Sequence, residues 1–452
     1  MLFQSQAENI TRLAYRRAVL QSEVLRKADV TRKLAYYNNE QEPFVLAEIK
    51  KIYQFPERVD PVFLNITRKV INLISRVYLQ DCTRIIDGKK QDQEVYAQIE
   101  EQANFPTKMK AADRLSRLLG TIMLRPLWRN GQPDMDILTG DVLDVLTGDS
   151  PEDVRAVMVT YAAPNGRSEE IEFTLWTPEE YQRLDYRGRV IEAEPNPYDM
   201  IPFVPVWSEP PTSDFWLPGA NDLINAQVAI DNRLTDTCYT LRFQSHGVGY
   251  IKCGSVAPDT TVNTGPGSVI FLPEKGEVGF AAPNAPIHDG LEAIDKLIKW
   301  VAVCNGLPAA SLSTDSTEQS GRAKLVGNVE LEEQRRDSIA LFAKVEQQLF
   351  NLWRVVWNIH NPGRQISETA TLNCDFFDPK PSVSGYEQAQ QMEKLIDMNL
   401  ASRVDCLIEL NPDLSREEAK KRLKEIAAEN EEFTPKDPVW TPSFGAYAQE
   451  QI

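Results

Sequence analysis

The chain has 452 residues, 66 acidic and 49 basic, and a net charge of −17. This length suits two or three structural units rather than one small core, and 42% hydrophobic with 25% charged residues is an ordinary globular composition. The acidic balance argues against tight global gripping of DNA, because proteins that hold phosphates by counterion release carry a surplus of Lys and Arg.

Residues 8–40 read as a charged helical stretch in which Leu13, Val19, Leu20, Val24 and Leu25 recur near the helical period, ending at the turn signal Asn38-Asn39. A second helix is expected after Pro61, with Phe63, Ile66, Val70, Ile71, Ile74 and Val77 on one stripe. A third runs from about Ala97 to Leu124, starting before Pro106 and resuming after it. After Pro126 the pattern turns to β, over about residues 127–210. Asn130-Gly131 makes a turn, Pro164-Asn165-Gly166 joins two strands, and a proline-rich run of short strands follows.

A break at Pro218-Gly219-Ala220-Asn221 opens a long helix. Its Leu223, Ile230, Leu234, Thr237 and Leu241 form a seam for packing on other long helices. A Gly/Pro-rich β segment, roughly Gly247 to Asn284, separates it from a second long helix starting near Asp289. That helix carries Leu291, Ile294, Leu297, Ile298 and Val301 on one face and stops at Gly306-Leu307-Pro308. A small-polar run leads into the longest helix, about Arg322 to Ile359, with Leu325, Val329, Ile339, Phe342, Leu349, Leu352, Trp353 and Val356 as its apolar positions. The tail holds two or three short helices, one with a capping box from Ser415 to Glu418, and a poorly ordered last segment.

No apolar run approaches the roughly 18–20 residues that span a bilayer, and the first twenty residues lack the apolar centre of a signal peptide. Synthesis and use in a cytoplasm, or in something assembled there, are expected. Cys82, Cys238, Cys253, Cys304, Cys374 and Cys406 lie far apart and form no CxxC, and His246, His288 and His360 are equally isolated. This spacing opposes a zinc site and points to free buried thiols in a reducing compartment. The chain has no GxxxxGK[ST] loop, GxSxG elbow or HExxH. Gly265-Pro266-Gly267 reads as a tight turn, and the pairs Asp134/Asp136 and Asp141/Asp144 read as solvated carboxylates rather than metal ligands. No enzymatic chemistry and no cofactor are therefore expected.

The order of parts carries more information. Two long helices bracketing a compact β excursion form a stalk with a tip, whose amphipathic seam calls for partners; a closed ring of identical subunits supplies them. From about Leu34 to Leu410 the chain resembles the portal proteins of tailed double-stranded DNA bacteriophages. The resemblance rests on NPYDMIPFVPVW (Asn196 to Trp207), the helix from Asn221 to Phe243, and GLPAASLSTDSTEQSGRAK (Gly306 to Lys324). The step Ser320-Gly321-Arg322-Ala323 is similar to one that starts the family's long helix, and LAYYNNEQ to its early tyrosine-containing turn.

The resemblance implies an α+β fold, mainly α, with a wing (1–218, containing the β unit), a first stem helix (219–243), a clip (244–288) and a second stem helix (289–306). A tunnel loop (307–320), a long wing helix with linker (321–383), a crown (384–433) and a flexible tail (434–452) complete it. It implies a dodecamer at one capsid vertex of the virion, assembled in the host cytoplasm, through which double-stranded DNA is packaged and ejected without sequence specificity. The implied partners are the terminase large subunit, the head-tail connector (adaptor), the major capsid protein and scaffold, with no membrane. Ser311, Ser313, Thr314, Asp315, Ser316 and Thr317 are the expected DNA-facing loop residues, and Lys296 and Lys299 the candidate phosphate-facing residues of the stem. Asn263, Thr264, Glu274, Lys275 and Glu277 are the candidate partner-binding residues of the clip. Twelve copies at −17 each carry on the order of −200 charges, screened over about 8–10 Å, and such a channel lets DNA slide. The alternatives are another ring-forming virion component, such as a connector or tail protein, and a metal-dependent nucleic-acid enzyme.

Overall fold

The computed structural model describes residues 2–161, 171–246, 248–252, 277–281, 287–312, 329–377, 385–411 and 414–433. Helix and strand are mixed, with helix predominating, in an α+β chain. Two compact units divide it: Met1–Glu318 with Val326–Pro379, and Gln319–Leu325 with Lys380–Ile452.

The first unit opens with α1 (Leu2–Ala18) and α2 (Gln21–Asn38). The single helical stretch expected here is broken, because Leu20 is extended at ψ 143 and restarts the chain. The turn at the asparagine pair is present: Asn39 adopts φ 69, a left-handed conformation that Asn tolerates. Proline near the N-terminus of α3 (Glu42–Ile52) presets its first turn, a helix the apolar pattern had not separated. The stripe after Pro61 yields only a short α4 (Ile66–Ile74), because Val62 and Leu64 are held extended by a neighbouring helix. The strand β1 (Thr83–Asp87) then appears between the second and third helices expected from the sequence.

The expected third helix is two helices and the start of a strand. Asn104 at φ 53 separates α5 (Lys90–Gln102) from α6 (Phe105–Leu119), and β2 (Thr121–Arg129) begins directly after Gly120. Gly120 has φ +82, and a Cβ there would stand 2.4 Å from the Leu217 carbonyl oxygen. Only glycine fits this close crossing. Thr121–Leu124 is therefore buried β structure, not helix.

The β region holds two sheets. In the first, of order β3-β2-β9, β2 is central between β3 (Gln132–Thr139) and β9 (Val204–Trp207). Asn130 (φ 53) and Gly131 (φ 78) form the two-residue turn that aligns Arg129 with Gln132. The second is an antiparallel meander of β4 (Leu143–Thr147), β5 (Val154–Tyr161), β6 (Glu172–Trp176), β7 (Glu180–Leu184) and β8 (Val190–Pro195). The pairing of β5 with β6 matches the hairpin expected around Pro164-Asn165-Gly166, a turn outside the described residues. β5 is buried on both faces: Val157 and Val159 join Trp176, Phe203 and Phe215 on one side, while Ala156 and Met158 meet Ala14 and Ala18 of α1 on the other.

After the helix pair described below, α9 (Val329–His360) threads the main core and β12 (Thr371–Asp375) pairs antiparallel with β1. Phe342, Leu349, Leu352, Trp353 and Val356 of α9 are buried as expected, whereas Val329 is exposed; Leu325 lies outside the described residues. Tyr96, Phe105, Phe350 and Trp353 form an aromatic centre with ring separations of 5.1–6.3 Å.

The second unit comprises α10 (Gly385–Asp397), α11 (Arg403–Leu410) and α12 (Arg416–Phe433). The capping box at α12 is made: Glu418 accepts from the Ser415 backbone N–H at 2.9 Å, and Ser415 Oγ accepts from the Glu418 N–H.

Candidate functional site

The helix α7 (Asn221–His246), the strands β10 (Val248–Lys252) and β11 (Glu277–Ala281), and the helix α8 (Ile287–Cys304) form one hairpin-like element. Val248 pairs with Ala281 and Lys252 with Glu277, so the antiparallel ribbon continues from the ends of two helices that pack against each other. Gly290 of α8 faces Thr237 of α7, whose Oγ1 lies 3.4 Å from where a Cβ would be, an ordinary contact distance.

The base of α7 is set by a two-glycine crossing. Gly219 (φ +57) packs its backbone on Leu118–Gly120, and the Ala220 N–H donates to the Leu118 carbonyl at 3.0 Å. Farther along, Gln227, Asp231 and Thr235 recur every four residues and are all buried. Gln227 Oε1 accepts from the backbone N–H groups of Ile66 and Thr67 at 3.1 and 3.2 Å, and its Nε2 donates to the Leu64 carbonyl at 2.6 Å. Asp231 accepts from Leu64 N–H at 3.3 Å and from Gln227 Nε2 at 2.7 Å. Thr235 both accepts from and donates to the backbone of Val62 at 3.1 Å. Burial pushes the Asp231 carboxyl up to about 7. This ladder satisfies the extended segment before α4, which has no strand partner. Sequence reasoning passed over it, although polar residues at i, i+4 and i+8 within an apolar helix were a visible signal.

The expected apolar seams are divided. Leu223 and Ile230 of α7, and Ile294 and Val301 of α8, are buried in the chain's own core, so much of the seam needs no outside partner. Leu241 and Leu291 of the expected seams are exposed, at 44% and 48%, as are Trp300 and Val303 outside them, at 63% and 58%. The helix α8 stops where expected: Gly306 has φ 68, and the Leu307 N–H returns to the Ala302 carbonyl at 2.9 Å.

Lys296 and Lys299 are both paired within their own helix, Lys296 with Glu292 at 2.7 Å and Lys299 with Asp295 at 2.5 Å. The Lys296 hydrogen bond holds the Glu292 carboxyl below its usual range. Ser311 is half-buried in a short 3-10 turn, Ala309–Ser311. Glu277 opens β11 and is exposed. Ser313, Thr314, Asp315, Ser316 and Thr317, and Asn263, Thr264, Glu274 and Lys275, lie outside the described residues.

A second polar cluster was not anticipated. Arg84 of β1 grips Glu346 of α9 in a bidentate pair, Nε to Oε2 at 3.0 Å and Nη2 to Oε1 at 2.8 Å, with both side chains almost fully buried. The Tyr78 hydroxyl donates to the same carboxylate at 2.7 Å, and Arg84 Nη1 reaches Asp81 and Glu100. The Sγ atoms of Cys82 and Cys374 and an oxygen of Glu346 lie within 4.8 Å of one another. The cysteines are thus not all isolated, nor all buried, since Cys238 and Cys304 are exposed. Among the acidic pairs, Asp134 and Asp136 pair with Arg129, whereas Asp144 is buried between Lys27 and Arg26 rather than solvated. Among the described residues, no helix is long and apolar enough to cross a membrane.

No family model and no curated protein matches the chain. Solved structures do. The chain is similar to a chain of the neck of an empty gene transfer agent (GTA) particle computed with C6 symmetry, at 14% identity and TM-score 0.46, covering 76% of this chain and 88% of that one. It is similar to a chain of the native GTA particle neck computed with C12 symmetry at 14% identity and TM-score 0.45, with the same coverage. A chain of the virion of the native GTA particle is similar at 12% identity and TM-score 0.41, again over 76% and 88%.

Proposed function

We propose that this chain is one subunit of a phage portal ring, a dodecamer at one capsid vertex through which double-stranded DNA is packaged and ejected. The observation that carries this reading is the stalk, two antiparallel helices closed by a β ribbon, with Leu291, Trp300 and Val303 presented outward from α8. Trp300 and Val303, three residues apart and both more than half exposed on a helix otherwise seated in the core, support a surface that association would cover. In a closed ring every copy covers the same patch of its neighbour.

The order of elements agrees with the resemblance in sequence. β9, the end of NPYDMIPFVPVW, precedes α7, and Ser320-Gly321-Arg322-Ala323 precedes α9. The channel acts as a passive conduit, not an enzyme, and the terminase large subunit supplies the energy. The pairing of Lys296 and Lys299 with carboxylates of their own helix leaves α8 little net positive charge to hold a phosphate, which suits a duplex that must slide. In this reading the head-tail connector docks at the β10–β11 end.

Negative-stain microscopy and mass determination of the purified protein test the proposal. Rings of about twelve subunits around a central hole are expected; a monodisperse monomer or dimer would overturn it. Deleting Ser313 to Thr317 is expected to spare the ring and impair DNA packaging or retention, and normal packaging by the deletion would remove the tunnel-loop assignment.

A further inference from the structure

Cys82 and Cys374 lie far apart in sequence but side by side in the fold. Cys82 directly precedes β1 and shares the buried face of Arg84, whose ladder partner on β12 is Cys374. The two Sγ atoms lie within 4.8 Å, and the Cys82 thiol donates to Glu346 Oε1 at 3.6 Å. Cys82 is 6% exposed and Cys374 half-buried.

A cation is a poor occupant for this group. Both Glu346 oxygens are already engaged by the Arg84 guanidinium, whose positive charge opposes a second cation at the same carboxylate. What the geometry favours is a bond between the sulfurs themselves.

We propose that Cys82 and Cys374 are a redox pair that closes to a disulfide on meeting a low-molecular-weight disulfide such as oxidised glutathione, stapling β1 to β12. Cys374, the more accessible thiol, loses its proton to solvent and attacks the oxidant, giving a mixed disulfide and releasing one glutathione thiolate. Cys82 then loses its proton and attacks the Cys374 sulfur, expelling the second thiolate. Each departing thiolate takes up one proton. Two protein thiols are oxidised and one glutathione disulfide is reduced to two glutathiones. An S–S bond of about 2.05 Å requires the sulfurs to draw together; Cys82 stands outside the β1–β12 ladder, so its backbone can shift without breaking a strand pair.

The consequence is a covalent tie between the strand before α5 and the strand after α9, made across a loop of about 290 residues, a length at which chain-entropy arguments give strong stabilisation. The staple is reversible by a thiol reductant, so the protein folds reduced and is locked on oxidation.

The test uses the full-length purified protein incubated with millimolar oxidised glutathione, quenched in acid, alkylated unfolded and mapped by mass spectrometry without reduction. The expected product is a Cys82 peptide joined to a Cys374 peptide, about 2 Da lighter than the two thiols. An apparent Tm rise on the order of 5 °C, reversed by dithiothreitol, accompanies it. Cys374→Ser and Cys82→Ser should each abolish the cross-link and the rise. Recovery of both peptides alkylated or only glutathionylated would overturn the proposal, and the wild-type map decides this even where a variant fails to fold. Stoichiometric zinc retained by the reduced protein and shielding both thiols would overturn it too.

Discussion

Glu346→Ala removes the acceptor for a guanidinium whose side chain is 1% exposed. Truncating one partner of a buried ion pair costs about 3–5 kcal/mol, because the other charge stays buried and uncompensated. The Tyr78 hydroxyl loses its acceptor as well, which adds about 1 kcal/mol. Against this, Arg84 keeps Asp81 at 3.0 Å and Glu100 at 3.1 Å, both partly exposed. Burial pushes the Glu100 carboxyl up to about 7, and the Glu346 charge adds to that rise. Without Glu346, Glu100 ionises more readily and takes over part of the pairing. The net loss should therefore fall near 3 kcal/mol. Urea unfolding followed by tryptophan fluorescence reads it, since Trp353 packs on Phe105 and Arg84 lies over the same Phe105 ring. Replacing the whole cluster by apolar groups (Arg84→Met, Glu346→Leu and Tyr78→Phe together) should return stability to within about 1 kcal/mol of wild type. A single-variant loss below about 1 kcal/mol, or a triple variant as damaged as the single, would refute the reasoning.

Asp231→Asn tests the ladder under α7. The folded carboxyl sits near 7, above its unfolded value, so its contribution is fully present at low pH and lost as pH rises through 7. The variant should be more stable than wild type at pH 8, by up to about 4 kcal/mol, and indistinguishable below pH 4; equal Tm values at pH 8 would contradict this. Gly120→Ala should cost at least 2–3 kcal/mol, roughly, through its positive φ and the clash with the Leu217 carbonyl, and unchanged thermal unfolding would refute the crossing. Trp300→Glu, at an exposed position, should leave the unfolding free energy of the dissociated subunit within about 0.5 kcal/mol of wild type while abolishing rings in sedimentation. Rings that persist would show that α8 does not form the subunit contact.

The parts of the fold legible in the sequence are those written locally. Asn130-Gly131 specifies its own hairpin, Gly306-Leu307-Pro308 its own helix stop, and Ser415 with Glu418 its own cap. The errors fall where a distant segment decides the local conformation. Thr121–Leu124 is apolar and fits a helix equally well; it becomes strand because β9 supplies its hydrogen bonds and the Leu217 carbonyl fills the space a Cβ at Gly120 would need. Short β1 is stabilised by β12, contributed from beyond α9, and no local pattern announces a partner so remote. Nothing in the local sequence marks Arg84 or Glu346 for burial, and only the fold makes them one buried group.

The same distinction explains the stalk. An apolar period identifies α7 and α8 as amphipathic helices, but it does not say whether the apolar face meets the chain's own body or another molecule. Here the answer differs from one face of a helix to another. Near the body, Leu223, Ile230 and Val301 are buried internally, and the extended segment at Val62–Thr67 is held by the polar ladder of α7. The anchoring of α7 thus rests in part on hydrogen bonds, and the outward side chains of α8, Trp300 and Val303 above all, are left for association. In the ring proposed above, a helix seated in this way stays folded without its neighbour, which is the property such a subunit needs before the ring closes.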